Sequence, residues 1–217
     1  MSHHRVLMSD LSAGQAYDLL SRVVVPRPIA FVSTLSEDGV PNLAPFSFFM
    51  AGGANPPSVV FCPVRSPQGE PKDTLRNIES TGEYVINIVT RGMAEGMNNT
   101  AFGFPHGVSE WPASGFTMAE SEAVRPARVA ESPVSLECRR FQTVEHGGAG
   151  NSAVYVIGEV LVAHIHPDHW ADGLVVNLAP ISRLGGPDYL DTAGLGEVGG
   201  KLFELPRPSA PPSASGV

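Results

Sequence analysis

Two polar runs interrupt an otherwise apolar sequence, and their residue types suit two ends of one ligand. In the first, Ser33, Thr34, Asn42 and Ser47 lie on or beside segments rich in β-formers, with the small Ala44 among them. Hydroxyls and a carboxamide offer both donors and acceptors, which is what the polar edge of a heterocycle requires. The second run supplies Arg65, Ser66, Lys72, Asp73, Thr74, Arg76 and Asn77. A loop carrying Arg and Lys into a helix start has the ingredients of a phosphate site: fixed positive charge, hydroxyl donors and free backbone N–H groups. Taken singly, each residue has an ordinary explanation. Ser and Thr are common on strand surfaces, Asp73 and Thr74 can cap a helix, and Arg65 and Lys72 can be solvated. The ordered combination says more than any piece.

Other reactive side chains are less telling. His164, His166 and His169 form an HxHxxH pattern beside Asp168. On a strand His164 and His166 share a face, a geometry that metals use. The plainer explanation is a strand ending at a Pro167-Asp168 turn, and no metal site is assigned. Cys62 and Cys138 are far apart, lack CxxC spacing and sit in apolar contexts, so both are expected as buried free thiols. No GxGxxG opens a strand–helix unit, so a Rossmann nicotinamide site is unsupported.

The elements that must hold these residues follow from the pattern. A helix is expected over 12–20 with Ser12 as N-cap. Pro26 and Pro28 exclude helix, and 29–35 reads as a strand. Glu37-Asp38-Gly39 is a turn, returning as a strand-like run over 41–49. Residues 51–57 read as a loop, 58–63 as a strand, and 73–79 as a helix capped by Asp73 and stopped by Gly82. A strand is expected over 83–90, an irregular stretch over 91–111, and a strand pair over 135–145 and 153–166. Short strands joined by turns, with few helices, favour a mainly β barrel or sandwich over a doubly wound sheet. One domain is expected over 1–205, with a Pro/Ser-rich disordered tail at 206–217.

The bulk numbers agree with a small globular protein. The chain has 217 residues, 42% hydrophobic and only 17% charged, enough for a core. Its formal net charge of -8 argues against a general nucleic-acid binder, which needs a basic face. It does not argue against one anionic ligand held by a few local donors. No signal-peptide pattern and no apolar run of membrane-spanning length is visible, so a reducing cytoplasm is expected.

The segment PRPIAFVSTLSEDGVPNLAPFSFF, residues 26–49, resembles the opening signature of the flavin reductase-like, flavoredoxin-type family. The similarity continues through NPPSVVFCPVRSPQGEPKDTLRNIESTGEYVINIV at 55–89, SPVSLECR at 132–139, VIGEVLVAHI at 156–165 and ISRLGGPDYL at 181–190. The resemblance implies an FMN-binding split β-barrel of Greek-key form, a homodimer with flavin near the subunit interface. It implies that Ser33, Thr34, Asn42, Ala44 and Ser47 line the ring and ribityl region. Arg65, Ser66, Lys72, Asp73, Thr74 and Asn77 then form the phosphate end, and Arg183 and Tyr189 lie at the outer edge of the flavin. His166 is a candidate at the flavin mouth, and Trp111, after Glu110, resembles a covering loop position. The implied activity is reduction of flavin by NADH or NADPH, with a partner oxygenase as one destination for the reduced flavin. A bound-FMN electron carrier shares every binding residue and is the alternative.

Overall fold

The computed structural model of the chain describes residues 1, 3–148, 150–193 and 201–209. Helix α1 (Ala13–Val23) starts where the sequence places it. The Ser12 hydroxyl accepts from Gln15 N, and the Gln15 side chain accepts from Ser12 N, a capping box. The β-branched run Val23-Val24-Val25 and Pro26 end the helix. Strands β1 (Arg27–Pro28) and β2 (Ala30–Leu35) follow. A turn with Gly39 at φ 82° then returns the chain as β3 (Pro41–Phe46).

The stretch expected as a loop at 51–57 is instead a strand pair for most of its length. β4 (Phe49–Ala54) turns at Asn55 and Pro56 into β5 (Pro57–Phe61), and the two pair antiparallel. The glycines there lack β propensity, and the ladder with β5 supplies what propensity does not. Helix α2 (Asp73–Thr81) ends at Gly82, whose φ of 74° is the left-handed stop that the sequence signals. Strand β6 (Glu83–Asn87) is followed by two short helices, α3 (Ala94–Asn99) and α4 (Trp111–Ser114), in the region expected to be irregular. The two-residue strands β7 (Met118–Ala119) and β8 (Arg128–Val129) precede the long pair β9 (Val134–His146) and β10 (Ala153–Ile165). A small hairpin of β11 (Trp170–Ala171) and β12 (Leu174–Val175) leads to β13 (Ile181–Arg183), β14 (Asp188–Asp191) and β15 (Lys201–Glu204).

Seven strands form one antiparallel ribbon in the order β3-β2-β6-β9-β10-β5-β4, and a four-stranded sheet runs β1-β13-β14-β15. The ribbon's outermost strands, β3 and β4, are separated only by Ser47 and Phe48. Three peptide units tie its ends within about 11 Å, so the ribbon curls into a barrel. The fold is mainly β, with strand about twice as abundant as helix and the helices few and short, as the split-barrel expectation requires.

Register decides which residues share a face. Ala30, Val32 and Thr34 pair with Phe46, Ala44 and Asn42, while Phe31 and Ser33 pair with Pro45 and Leu43. The first face belongs to a buried cluster with Phe61, Leu75, Ile78, Tyr84, Ile86 and Val156. The second belongs to another, with Phe31, Leu43, Met97, Trp111 and Ile181. Every residue from Ala30 to Thr34 is therefore buried, because β2 is covered on both sides. Packing inside the barrel is close: a Cβ on Gly158 would lie 1.8 Å from the Tyr84 hydroxyl, so only glycine fits that point of β10.

The end of the chain departs from the expected boundary at 206. Pro206 O accepts from Asn98 Nδ2 at 2.9 Å, and Arg207 Nε donates to Ala101 O at 2.7 Å. Residues 210–217 lie outside the described ones. Among the described residues no helix is long and apolar enough to cross a membrane.

Candidate functional site

A cleft of about 1380 Å³ opens between the end of β3, helix α1, the loop after β5, the start of α2 and the four-stranded sheet. Asn42, Ala44 and Ser47 form part of one wall, and Arg65, Ser66, Lys72, Asp73 and Thr74 form part of another. Arg183 and Tyr189 reach it from β13 and β14. Ten residues from three distant sequence blocks thus meet at one cavity.

Four expected site residues do not line it. Strand alternation turns Ser33 away from Thr34, onto the face of Leu43 and Val85. Ser33 Oγ is buried there with no hydrogen-bond partner among the described residues. Thr34 and Asn77 are buried behind the wall and act through Asn42. Asn77 Nδ2 donates to Thr34 Oγ1 at 3.0 Å, and Thr34 Oγ1 donates to Asn42 Oδ1 at 3.2 Å. His166 lies beyond the end of β10, exposed, with its Nδ1 accepting from Asp168 N. It is not part of the cleft lining.

The same network ends on Glu110, a carboxylate that the sequence reading did not select. Thr74 Oγ1 donates to Asn42 Oδ1 at 2.7 Å. Asn42 Nδ2 donates to Glu110 Oε1 and Oε2 at 2.7 and 2.6 Å, and Leu43 N donates to Oε2 at 3.0 Å. Glu110 is 8% exposed, and burial raises its pKa above the ordinary carboxylate value, opposed by the donors from Leu43 and Asn42. A lone Glu in an irregular stretch carries no motif; its one distinguishing mark in the sequence is its place before Trp111.

The cations at the far wall differ in their commitments. Arg65 is paired with Glu145 of β9 and also donates to Gly69 O at 3.3 Å. Arg76 is 3.0 Å from Glu70. The Lys72 ammonium has no ion-pair or hydrogen-bond partner among the described residues. Desolvation by the surrounding walls lowers its pKa, and the charge of Arg207 adds to that, opposed by the Glu110 carboxylate. Lys72, not Asp73, is the N-cap of α2. The Asp73 carboxylate instead accepts from Gly107 N at 2.9 Å and pairs with His106, fastening the loop beside the cleft.

At the opposite side, Arg183 Nη1 donates to the Tyr189 hydroxyl at 2.5 Å, and its guanidinium lies 4.7 Å from the Tyr189 ring centroid. Burial raises the Tyr189 phenol pKa, against the charge of Arg183. Beneath them Arg27, 5% exposed, donates to Val24 O at 2.9 Å and Leu184 O at 2.7 Å, tying α1 to the four-stranded sheet. The histidine pattern resolves differently from its spacing. His164 Nε2 meets Glu137, and no group of three or more His, Cys, Asp or Glu among the described residues is arranged to hold a metal.

A cleft lined by Ile29, Ala44, Phe46 and Phe48 as well as by these polar groups, with an unpaired ammonium, suits an amphipathic, anionic ligand. The flavin reductase like domain family matches residues 20–177. Nitrilotriacetate monooxygenase component B from Bacillus cereus is 31% identical, with a TM-score of 0.84 over 94% of this chain and 100% of that one. The Pseudomonas fluorescens 2-nitrobenzoate 2-nitroreductase is 30% identical, with a TM-score of 0.79 over 98% of this chain and 100% of that one. A split-barrel structure from Shewanella frigidimarina is 24% identical, with a TM-score of 0.71 over 91% of this chain and 94% of that one, a likeness of fold.

Proposed function

Because the chain belongs to the flavin reductase like domain family, matched over residues 20–177, we propose that its cleft holds FMN non-covalently and that the protein reduces flavin with hydride from NADH or NADPH. The observation that carries this reading is the meeting of Asn42, Ala44 and Ser47 with Lys72, Asp73 and Thr74 around one cavity. Asn42, Ala44 and Ser47 line the ring and ribityl side. Lys72 and the first turn of α2 take the phosphate, with Arg65 and Ser66 shaping the loop behind them. Thr34 and Asn77 hold Asn42 in place. Ser33 packs the other face of β2.

A bound flavin supplies the hydride acceptance and electron donation. The chain's residues bind it, fix its orientation and leave room beside it for a nicotinamide ring, which is a matter of positioning. Arg183 and Tyr189 sit where that second ring enters. Likeness to a monooxygenase component B supports a partner oxygenase as recipient of the reduced flavin. Two buried free thiols, Cys62 and Cys138, suit a reducing cytoplasm.

The protein acts as a homodimer. Tyr17, Leu20, Val23, Val24 and Val25 leave an exposed apolar face on and after α1, and two of them border the cleft. A second copy covers that face and completes the pocket. Sedimentation of the purified protein is expected to give twice 22.9 kDa; a monomer that still binds FMN tightly overturns this.

The visible spectrum of the purified protein, repeated anaerobically after NADH and then NADPH, tests the main reading. It is expected to show bound flavin that bleaches with one or both donors, and steady-state reduction of added FMN. Protein that is colourless, binds no added FMN and oxidises neither nicotinamide overturns it. Bleaching without turnover of excess FMN makes the protein a bound-FMN carrier instead. Lys72→Ala is expected to weaken FMN about 10-fold or more, in line with a charged hydrogen bond, and to leave riboflavin almost unchanged. Arg65→Ala acts less, because Arg65 is already paired with Glu145.

A further inference from the structure

The last described segment brings a cation to the cleft that no part of the family match contains. Strand β15 pairs with β14, and Leu205 N donates to Pro187 O at 2.9 Å. Asn98, 8% exposed, then holds Pro206 O, and Arg207 Nε is held by Ala101 O. Three fastenings in three successive residues fix where this backbone runs, and the Arg207 side chain lines the same cavity as Lys72. Arg207 lies thirty residues past position 177, where the family match ends, in a stretch that the sequence assigns to a tail.

The chemistry of that placement is specific. With Nε committed to Ala101, the two terminal nitrogens of Arg207 have no acceptor among the described residues. Lys72 is in the same condition, and no carboxylate forms an ion pair with either among the described residues. Two like charges lining one cavity repel each other, and the buried Glu110 carboxylate on the same cavity, which forms no ion pair with either, acts against that repulsion at Lys72. An anion between them removes that repulsion.

We propose that Arg207 is a ligand-recognising residue of the cleft, its guanidinium joining the Lys72 ammonium to clamp one phosphate monoester. The proposal rests on the reading of this cleft as a flavin phosphate site. A phosphate monoester carries roughly −1.5 to −2 charges near neutral pH, which two cations match. The planar edge left free by Nη1 and Nη2 suits two phosphate oxygens at once, whereas the ammonium acts as a point charge. The residue therefore separates FMN from riboflavin, which shares the ring and ribityl chain and lacks the phosphate.

Titration of the full-length protein with FMN and with riboflavin, followed by flavin fluorescence, tests this in wild type, Arg207→Gln and Arg207→Lys. Arg207→Gln is expected to weaken FMN about 10-fold or more while riboflavin moves less than about twofold, as for loss of one charged hydrogen-bonding partner. Arg207→Lys keeps the charge without the fork and falls between. Equal weakening of both flavins by Arg207→Gln makes Arg207 a mere fastener of the terminal segment and overturns the proposal. An unchanged FMN affinity overturns it as well, with the flavin reading intact. Wild-type protein that binds neither flavin sinks that parent reading and the proposal together.

Discussion

Glu137→Ala is expected to destabilise the protein by roughly 3–5 kcal/mol, the cost of removing one partner from a buried charged cluster. Glu137 is fully buried on the outward face of β9, across from Val85 of β6. Its oxygens accept from Glu122 N at 2.8 Å, Ala123 N at 2.6 Å and Val124 N at 3.1 Å, and meet His164 Nε2 at 2.5 Å. One carboxylate thus fastens an irregular loop onto the barrel. Without it three backbone donors and an imidazole are left with no acceptor in place, and each unsatisfied buried group costs about 1–3 kcal/mol.

Burial alone would raise the Glu137 pKa, but the donors from Glu122, Ala123 and His164 outweigh it and hold the pKa below the ordinary carboxylate value. A folded-state pKa below the unfolded one gives stability that is present above the unfolded value, about 4.3, and lost as pH falls through the folded value. Urea melts at neutral pH and through the acid range check both statements. Wild type is expected to lose stability over that acid window, and Glu137→Gln, which cannot ionise, to lose less of it. An Ala variant within about 1 kcal/mol of wild type at pH 7 would remove Glu137 from this role.

Glu137 also marks the boundary of what the sequence makes legible. Strand alternation places it opposite Cys138, away from the barrel interior. What covers it, the loop around Glu122 to Val124, is not a local property of any segment. Features that depend on neighbouring residues alone are readable: the Ser12 N-cap, the Gly82 stop, the Gly39 turn and the β9–β10 pair. Features that depend on distant partners are not. Asp73 looks like a helix cap and instead holds Gly107, thirty-four residues on. Residues 51–54 look like a loop, and pairing with β5 makes them a strand. The HxHxxH spacing suggests a shared metal face, and His164 is drawn to Glu137. Ser33 and Thr34 are a different case, since period-two alternation already forbids adjacent residues on a strand from lining one wall. Most of the cleft was still legible, because NLAPFS and KDTLRN carry their polar groups in local patterns. Glu110 and Arg207, single charged residues in irregular stretches, became visible only when the chain folded around the cavity.

Glu110→Ala is expected to cost about 2–4 kcal/mol and to weaken FMN and riboflavin alike. The variant leaves Asn42 Nδ2 and Leu43 N without their acceptor. It also frees the Asn42 side chain, on which Thr34 and Thr74 converge, so the wall on the ring side loosens. Lys72 and Arg207 themselves remain at the phosphate end, reached by this variant only indirectly through Thr74 and through the loss of the Glu110 charge that acts on Lys72. Both flavins therefore weaken here, whereas in Lys72→Ala and Arg207→Gln FMN alone suffers. Glu110→Gln isolates the charge. Burial raises the Glu110 pKa, so folding favours its neutral form more than the unfolded chain does. That contribution is present below the unfolded carboxylate value and lost as pH rises through the folded one. Wild type should therefore lose stability relative to Glu110→Gln as pH rises from about 4.3 through that raised value, a slope opposite in sign to that of Glu137. Melts of both proteins from acid to neutral pH measure the difference. A pH-independent difference would mean that the donors from Asn42 and Leu43 offset the burial of the carboxylate, leaving Glu110 an ordinary hydrogen-bonded anchor of the cleft wall.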